Sequence, residues 1–237
     1  MLLCGETGVG KEVVAELLVR RSERSDRSFV KLNCSVVPEP LLESELFGHV
    51  KGAFTGALRD RRGLFEEANG GTIFLDEIGE MSPTMQVKVL RIVEDGLVRP
   101  VGASQSVRVD VRLITATNRD LKADVEAGRF RRDLFYRLNV FPVPLPPLRA
   151  RTGDIALLAQ HFFHRYNTHS GKQLKGITAA ALRCLERYPW PGNVSRSRAS
   201  RSTSCTCRAR WRATRRWPRP TATTASCATG WGGSSSC

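Results

Sequence analysis

Gly5-Glu6-Thr7-Gly8-Val9-Gly10-Lys11 is the stretch that decides how this chain is read. An apolar run, Met1-Leu2-Leu3-Cys4, leads into it. Beyond it, Lys11 to about Arg21 carries Val13, Val14, Leu17 and Leu18 at helical spacing. Strand, glycine loop and helix in that order fit the pattern G-x-x-x-x-G-K. The glycines let backbone N–H groups curl round phosphate oxygens, and the helix adds its positive N-terminal end. Lys11 reaches the outer phosphates of a nucleotide. The general motif continues with a magnesium-ligating Ser or Thr; this chain has Glu12.

Working outward, Thr72-Ile73-Phe74-Leu75-Asp76-Glu77 reads as a buried strand that delivers two adjacent carboxylates. Asp76 is expected to hold Mg2+, directly or through water, and Glu77 to polarise the attacking water. Phe29 to Asn33 alternates as a strand, and Val111 to Thr117 is another apolar strand. Pro38 to Leu46 reads as a short helix. A second runs from Ser82-Pro83 to about Glu94, with Gly96 ending it. Strands and helices thus alternate, which implies an α/β fold: a parallel sheet with helices on its faces. Pro142, Pro144, Pro146 and Pro147 read as a linker. Ile155 to about Tyr166 and Ala179 to about Arg187, the latter capped by Thr178, read as helices of a small second part.

One string fits no ordinary core element: Gly52-Ala53-Phe54-Thr55-Gly56-Ala57. Small, flexible residues around Phe and Thr suit a loop tip built to touch a partner. With the phosphate loop before it and the acidic strand after it, the chain resembles the bacterial activators that drive sigma-54 RNA polymerase with ATP. The resemblance covers residues 1–194. It implies a P-loop AAA+ fold, a three-layer αβα sandwich, with an ATPase core over 1–147 and a partial helical lid over 148–194.

The resemblance also implies roles. Gly5 to Glu12 would bind ATP together with Asp76 and Asn118, the latter as a sensor near the γ-phosphate. Asn33 would pair with Glu77 and restrain it. Arg131 and Arg137 would reach the nucleotide of a neighbouring subunit, which requires a homo-oligomeric ring, a hexamer in the family. Residues 52–57 would contact sigma-54, supported by a second loop around residues 101–106. Promoter DNA would be reached through a separate domain. Read on a single helix, the two arginines lie within about 120 degrees of each other. His49, with no second ligand nearby, reads as polar surface.

The formal charge of +14 suggests an acidic partner, but its distribution weakens that inference. Nine arginines, with no lysine and no acidic residue, lie in 195–237, leaving an excess of +5 for the rest. That segment has no Leu, Ile, Val, Phe or Met, so disorder is the expectation. Its composition reads as a frameshift product beginning near codon 195; the rival reading is a basic nucleic-acid tail. Cys205, Cys207, Cys227 and Cys237 match no metal-ligand spacing. No apolar run approaches membrane-spanning length and the start is no signal peptide, so a cytoplasmic protein with no membrane partner is expected. The family has a further adenine-side segment before the first strand, and Ser195 stands where it has a lid arginine. Feeble or absent ATP hydrolysis is the resulting expectation. Two other readings stay open: a generic AAA+ remodeller, and a non-catalytic remnant that binds nucleotide or nucleic acid weakly.

Overall fold

The computed structural model describes residues 1–170 and 175–194. Ser195 and the arginine-rich segment lie outside the described residues, and with them the readings made of that segment. In chain order the elements are β1 (Leu2–Cys4), α1 (Lys11–Arg20), β2 (Phe29–Asn33), α2 (Glu39–Phe47), β3 (Gly48–His49), β4 (Arg61–Arg62), α3 (Leu64–Glu67) and β5 (Thr72–Asp76). Then come α4 (Pro83–Asp95), β6 (Leu97–Val98), β7 (Val107–Arg108), β8 (Arg112–Thr117), α5 (Leu121–Glu126), α6 (Arg132–Leu138), β9 (Pro142–Pro144), α7 (Thr152–Ser170) and α8 (Ala179–Glu186).

Five strands form one parallel sheet in the order β2-β5-β8-β1-β9. Successive side chains on a strand point to opposite faces. Leu3, Phe74, Ile114 and Ala116 therefore meet Ala15 and Val19 of α1 on one face. Leu2, Ile73 and Leu75 meet Leu42, Met85, Val89, Leu121 and Leu134, from α2, α4, α5 and α6, on the other. This is the expected αβα sandwich. Its central strands are apolar on both faces because both faces are covered. Burying one such side chain contributes about 1.5–3 kcal/mol, which makes the sheet a rigid base for what emerges from its ends.

Parallel pairing puts all carboxyl ends on one edge. Cys4 pairs with Thr117, and Asn33 with Asp76. The residues that follow (Gly5, Glu77 and Asn118) therefore leave the sheet side by side, beside the first strand where the strand order reverses. Open α/β sheets bind ligands at such an edge.

Local signals set the helix ends. Ser82 Oγ accepts a hydrogen bond from Met85 N (3.4 Å), and Gly96 closes α4 at φ 67°. Thr178 Oγ1 likewise accepts from Ala181 N at the start of α8. The proline cluster is a correction. Pro142–Pro144 is no linker but the outermost strand, paired with β1 from Leu2 to Cys4. The bonds Leu2 N→Phe141 O (3.0 Å) and Leu145 N→Cys4 O (2.7 Å) flank it. An edge strand tolerates prolines because only one side of it must pair.

Candidate functional site

The glycine loop Gly5–Gly10 runs from β1 into α1, with Gly10 as the N-cap at φ 103°. Lys11, the first helical residue, is only 5% exposed. Its Nζ donates to Gly5 O (3.0 Å) and lies 3.5 Å from Glu77 Oε1. The other Glu77 oxygen, Oε2, accepts from the Asn118 backbone N–H (3.1 Å). The Asn118 side chain donates to Thr7 Oγ1 (2.9 Å). Loop, acid and the residue after β8 thus form one connected cluster, built from residues 7, 11, 77 and 118.

Glu77 sits at φ 54°, ψ 47°, in the left-handed region. Few non-glycine residues adopt it, and such strain clusters at functional sites. It turns the carboxylate back toward Lys11 instead of letting it run on along the strand.

Asn33 is placed differently from the expectation. Its Nδ2 donates to Asp76 Oδ2 (3.4 Å), and its Oδ1 accepts from Ser35 N (2.9 Å) and Ser35 Oγ (2.7 Å). The register pairs Asn33 with Asp76, one residue short of Glu77. Glu12 also stays outside the cluster, forming an exposed pair with Lys31 (3.1 Å). Asp76 is half-buried and anchors the Glu77 N–H through Oδ1 (3.0 Å). Buried Cys34 lies next to these acids. Burial first, then Asp76 and Glu77, push its thiol up to about 12, so it stays protonated and inert.

The arginines sit on a separate surface. Arg131 is the N-cap of α6, not a helical residue, so a helical angle between it and Arg137 does not apply. Arg131 pairs with Asp133 and Arg137 with Glu94 (3.2 Å), all exposed. Sequence reading missed what supports them. Gln86 is fully buried in α4; its Oε1 accepts from Arg131 N (2.8 Å), and its Nε2 donates to Met81 O (2.9 Å) and Arg129 O (3.2 Å). A buried amide with all these groups paired fixes where the arginine segment starts. Asp124 is the second such node, bonded to Arg119 (3.0 Å) and Arg129 (2.8 Å). Burial works to raise its carboxyl, but the bonds from Arg129 and Arg119 prevail and hold it below the usual range.

Residues 52–57 form the tip of the antiparallel hairpin β3–β4. The tip folds on itself through Gly52 N→Ala57 O (2.9 Å) and Ala57 N→Phe54 O (3.0 Å). Arg61 grips Glu45 of α2 with two bonds (2.6 and 2.8 Å) and so fixes the hairpin base. Hairpin β6–β7 lies alongside: Val50 N donates to Val101 O (3.1 Å) and Val101 N to Gly48 O (2.9 Å). A Cβ on Gly102 would lie 2.8 Å from the Ala53 Cβ, so the two loops touch. His49 is not free polar surface. It is half-buried, shares a 2.7 Å hydrogen bond with buried Ser44, and packs edge-on against Phe54, ring centroids 5.0 Å apart. The Phe54 side that remains exposed faces outward at 43%.

Among the described residues, no cluster of three or more His, Cys, Asp or Glu is arranged to hold a metal, and no helix is long and apolar enough to cross a membrane.

The sequence matches the family model "Sigma-54 interaction domain" over residues 1–144 and that of an "AAA+ ATPase lid domain" over 149–197. It is 53% identical over 194 residues to a Nif-specific regulatory protein of Azotobacter vinelandii, a match covering 82% of this chain and 37% of that protein. It is 55% identical over 194 residues to the transcriptional regulatory protein ZraR of Salmonella typhimurium, covering 82% and 44%. The chain therefore spans less than half the length of these relatives. Among solved structures, NtrX from Brucella abortus superposes with a TM-score of 0.77 at 36% identity, over 84% of this chain and 45% of that one. NtrX in complex with ATP superposes at 0.75, over 83% and 44%. With its parallel sheet and the family match over 1–144, this chain belongs to the sigma-54 interaction domain family of AAA+ proteins.

Proposed function

We propose that this chain binds ATP at the edge formed by Gly5–Lys11, Asp76, Glu77 and Asn118, hydrolyses it, and uses the cycle to move residues 52–57 against sigma-54. The observation that carries the reading is the cluster in which Lys11 and the Asn118 backbone hold the two oxygens of Glu77. A relative of the same fold is known in complex with ATP, which supports a nucleotide as the ligand.

A nucleotide's outer phosphates compete with Glu77 for the Lys11 ammonium. The Glu77 carboxylate then turns to a water and accepts its proton as that water attacks the γ-phosphorus, while the bond from that phosphorus to the β–γ bridging oxygen breaks and ADP leaves with phosphate. Asn118 is bonded both to Glu77 and to Thr7 of the loop, so it registers loss of the γ-phosphate. Asp76, whose carboxyl anchors the Glu77 N–H beside that cluster, suits magnesium, which is content with one or two carboxylates plus phosphates. When bound, the ion neutralises charge on the β- and γ-phosphate oxygens. Arg131 and Arg137 lie on an exposed face, as residues serving a neighbour's nucleotide must; their salt bridges to Asp133 and Glu94 are weak enough to exchange. Guanidinium groups supplied in trans stabilise the charge of phosphoryl transfer, which makes a ring the working form.

The direct test is binding of purified sigma-54 in the presence of ADP and a γ-phosphate transition-state mimic. The expected result is a complex that forms with the parent chain and is lost in Phe54→Ala. Thermal stability of that variant stays close to the parent, because Phe54 lies at a half-exposed tip. Binding that survives Phe54→Ala overturns the role given to the tip; no binding by the parent favours a generic remodeller. A second reading, nucleotide binding without turnover, rests on Ser195, where the family resemblance expects an arginine. ATP binding with no Lys11-dependent phosphate release decides for it.

A further inference from the structure

The carbonyl side of the phosphate loop is held by residues far away in sequence. Three consecutive loop carbonyls accept from three donors: Thr7 O from Asn193 Nδ2 (3.1 Å), Gly8 O from Val194 N (2.9 Å) and Val9 O from Arg151 Nη2 (3.2 Å). In a trans peptide the N–H points opposite to the carbonyl. Pinning these carbonyls therefore aims the N–H groups of Gly8, Val9 and Gly10 away from Asn193, Val194 and Arg151.

Asn193 is the centre of this arrangement. It is 1% exposed and sits at φ 47°, a conformation that Asn tolerates better than most residues. Its Oδ1 accepts from Leu148 N (2.7 Å), at the turn that precedes α7. Its Nδ2 donates to Glu6 Oε2 (3.2 Å) as well as to Thr7 O. Glu6 is held in turn by Arg149 (Nη1 to Oε2, 2.9 Å). Arg149 first, and Asn193 second, hold the Glu6 carboxyl down at about 2, so it is ionised at any working pH. Trp190 Nε1→Leu185 O (2.8 Å) ties the segment carrying Asn193 to the end of α8. One side chain thus joins the loop, the turn into α7 and the segment after α8.

We propose that Asn193 is a positioning residue that, through Glu6 and the Thr7 carbonyl, sets the phosphate-facing amides of the loop and couples the placement of α7 and α8 to the occupancy of the nucleotide site. The coupling rests on the nucleotide reading above; the latch itself does not. It is made of ordinary hydrogen bonds, so nucleotide binding at the loop and movement of the two helices each change the other's equilibrium by the same factor.

The test uses the full chain. Asn193→Gly keeps the positive φ and removes only the side chain. It is expected to speed hydrogen exchange at the Leu148 amide at least about tenfold and to raise the Kd for ATP about tenfold, the usual weight of the two hydrogen bonds to the loop among the three it loses. Asn193→Asp sets a carboxylate against ionised Glu6 and is expected to have at least as large an effect. Adding Glu6→Gln to it removes that repulsion and is expected to recover at least about threefold of the loss in Leu148 exchange and Kd, short of full restoration because aspartate has no N–H to give Thr7 O. A residue that merely fills space shows no such charge-dependent rescue. Unchanged exchange and Kd in Asn193→Gly, or no rescue by Glu6→Gln, overturns the proposal. If the parent binds no ATP, the nucleotide reading fails, and exchange at Leu148 with its rescue still decides whether the latch exists.

Discussion

Glu77→Gln is expected to cut ATP turnover by at least about a hundredfold while ATP binding is retained. The amide has nearly the shape of the carboxylate and still accepts from the Asn118 N–H, so the cluster stays assembled. It cannot take a proton from water. Gln also relieves a cost: Glu77 is 9% exposed and, among the described residues, Lys11 is the one ammonium or guanidinium group within 4 Å of its carboxyl. Binding is therefore expected to be equal or tighter, since Lys11 no longer divides its charge between Glu77 and phosphate. Lys11→Ala has the opposite signature, losing binding first. Steady-state phosphate release together with equilibrium binding of a fluorescent ATP analogue separates the two. Turnover within tenfold of the parent in Glu77→Gln removes Glu77 from the chemistry.

Gly48→Ala is the substitution expected to damage the contact loop most without touching it. Gly48 joins α2 to the hairpin at φ 78°, ψ 178°, a region essentially closed to residues with a Cβ. The added carbon would also lie 2.4 Å from Arg61 O, in the facing strand, and 2.7 Å from Gly63 N, just after it, both backbone atoms that cannot rotate away. Strain and overpacking together are expected to cost roughly 2–4 kcal/mol. They fall on the hairpin base, so sigma-54 binding should fall with stability. Gly52→Ala is the control: φ is 82°, but a Cβ there meets nothing within 4 Å. Its cost should stay near about 1–2 kcal/mol, from conformation alone. Urea midpoints of the two variants read the difference; equal midpoints would show that close approach at Gly48 does not matter.

The parts that were legible in the sequence are those whose physics is local. A strand running into Gly5–Lys11 and a strand ending in Asp76-Glu77 each carry their meaning within a few residues, and Ser82, Gly96 and Thr178 mark helix ends through their own side chains or φ. Gln86 illustrates the opposite case. In the sequence it is one of several polar residues in an amphipathic helix; its importance comes from Arg131 N, 45 residues away. His49 acquires its partners only when the hairpin brings Phe54 onto it and α2 supplies Ser44. The four prolines after Phe141 look like a break in any window of sequence, and the first two become part of a strand only because β1 has a free edge to pair with.

By itself the sequence determined the class of fold, the order of motifs and the family, because a phosphate loop, an acidic strand end and a Gly-Ala-Phe-Thr-Gly-Ala tip are written in contiguous residues. Tertiary structure decided which groups meet. Parallel register set Asn33 beside Asp76 and left Glu77 to Lys11 and Asn118. Folding brought Asn193 within hydrogen-bond reach of Glu6, which lies 187 residues before it. The physical reason is the same in both cases. A hydrogen bond needs its partners within about 3.5 Å and well aligned, and between distant segments that condition is met only by the packing of the sheet and its helices as a whole.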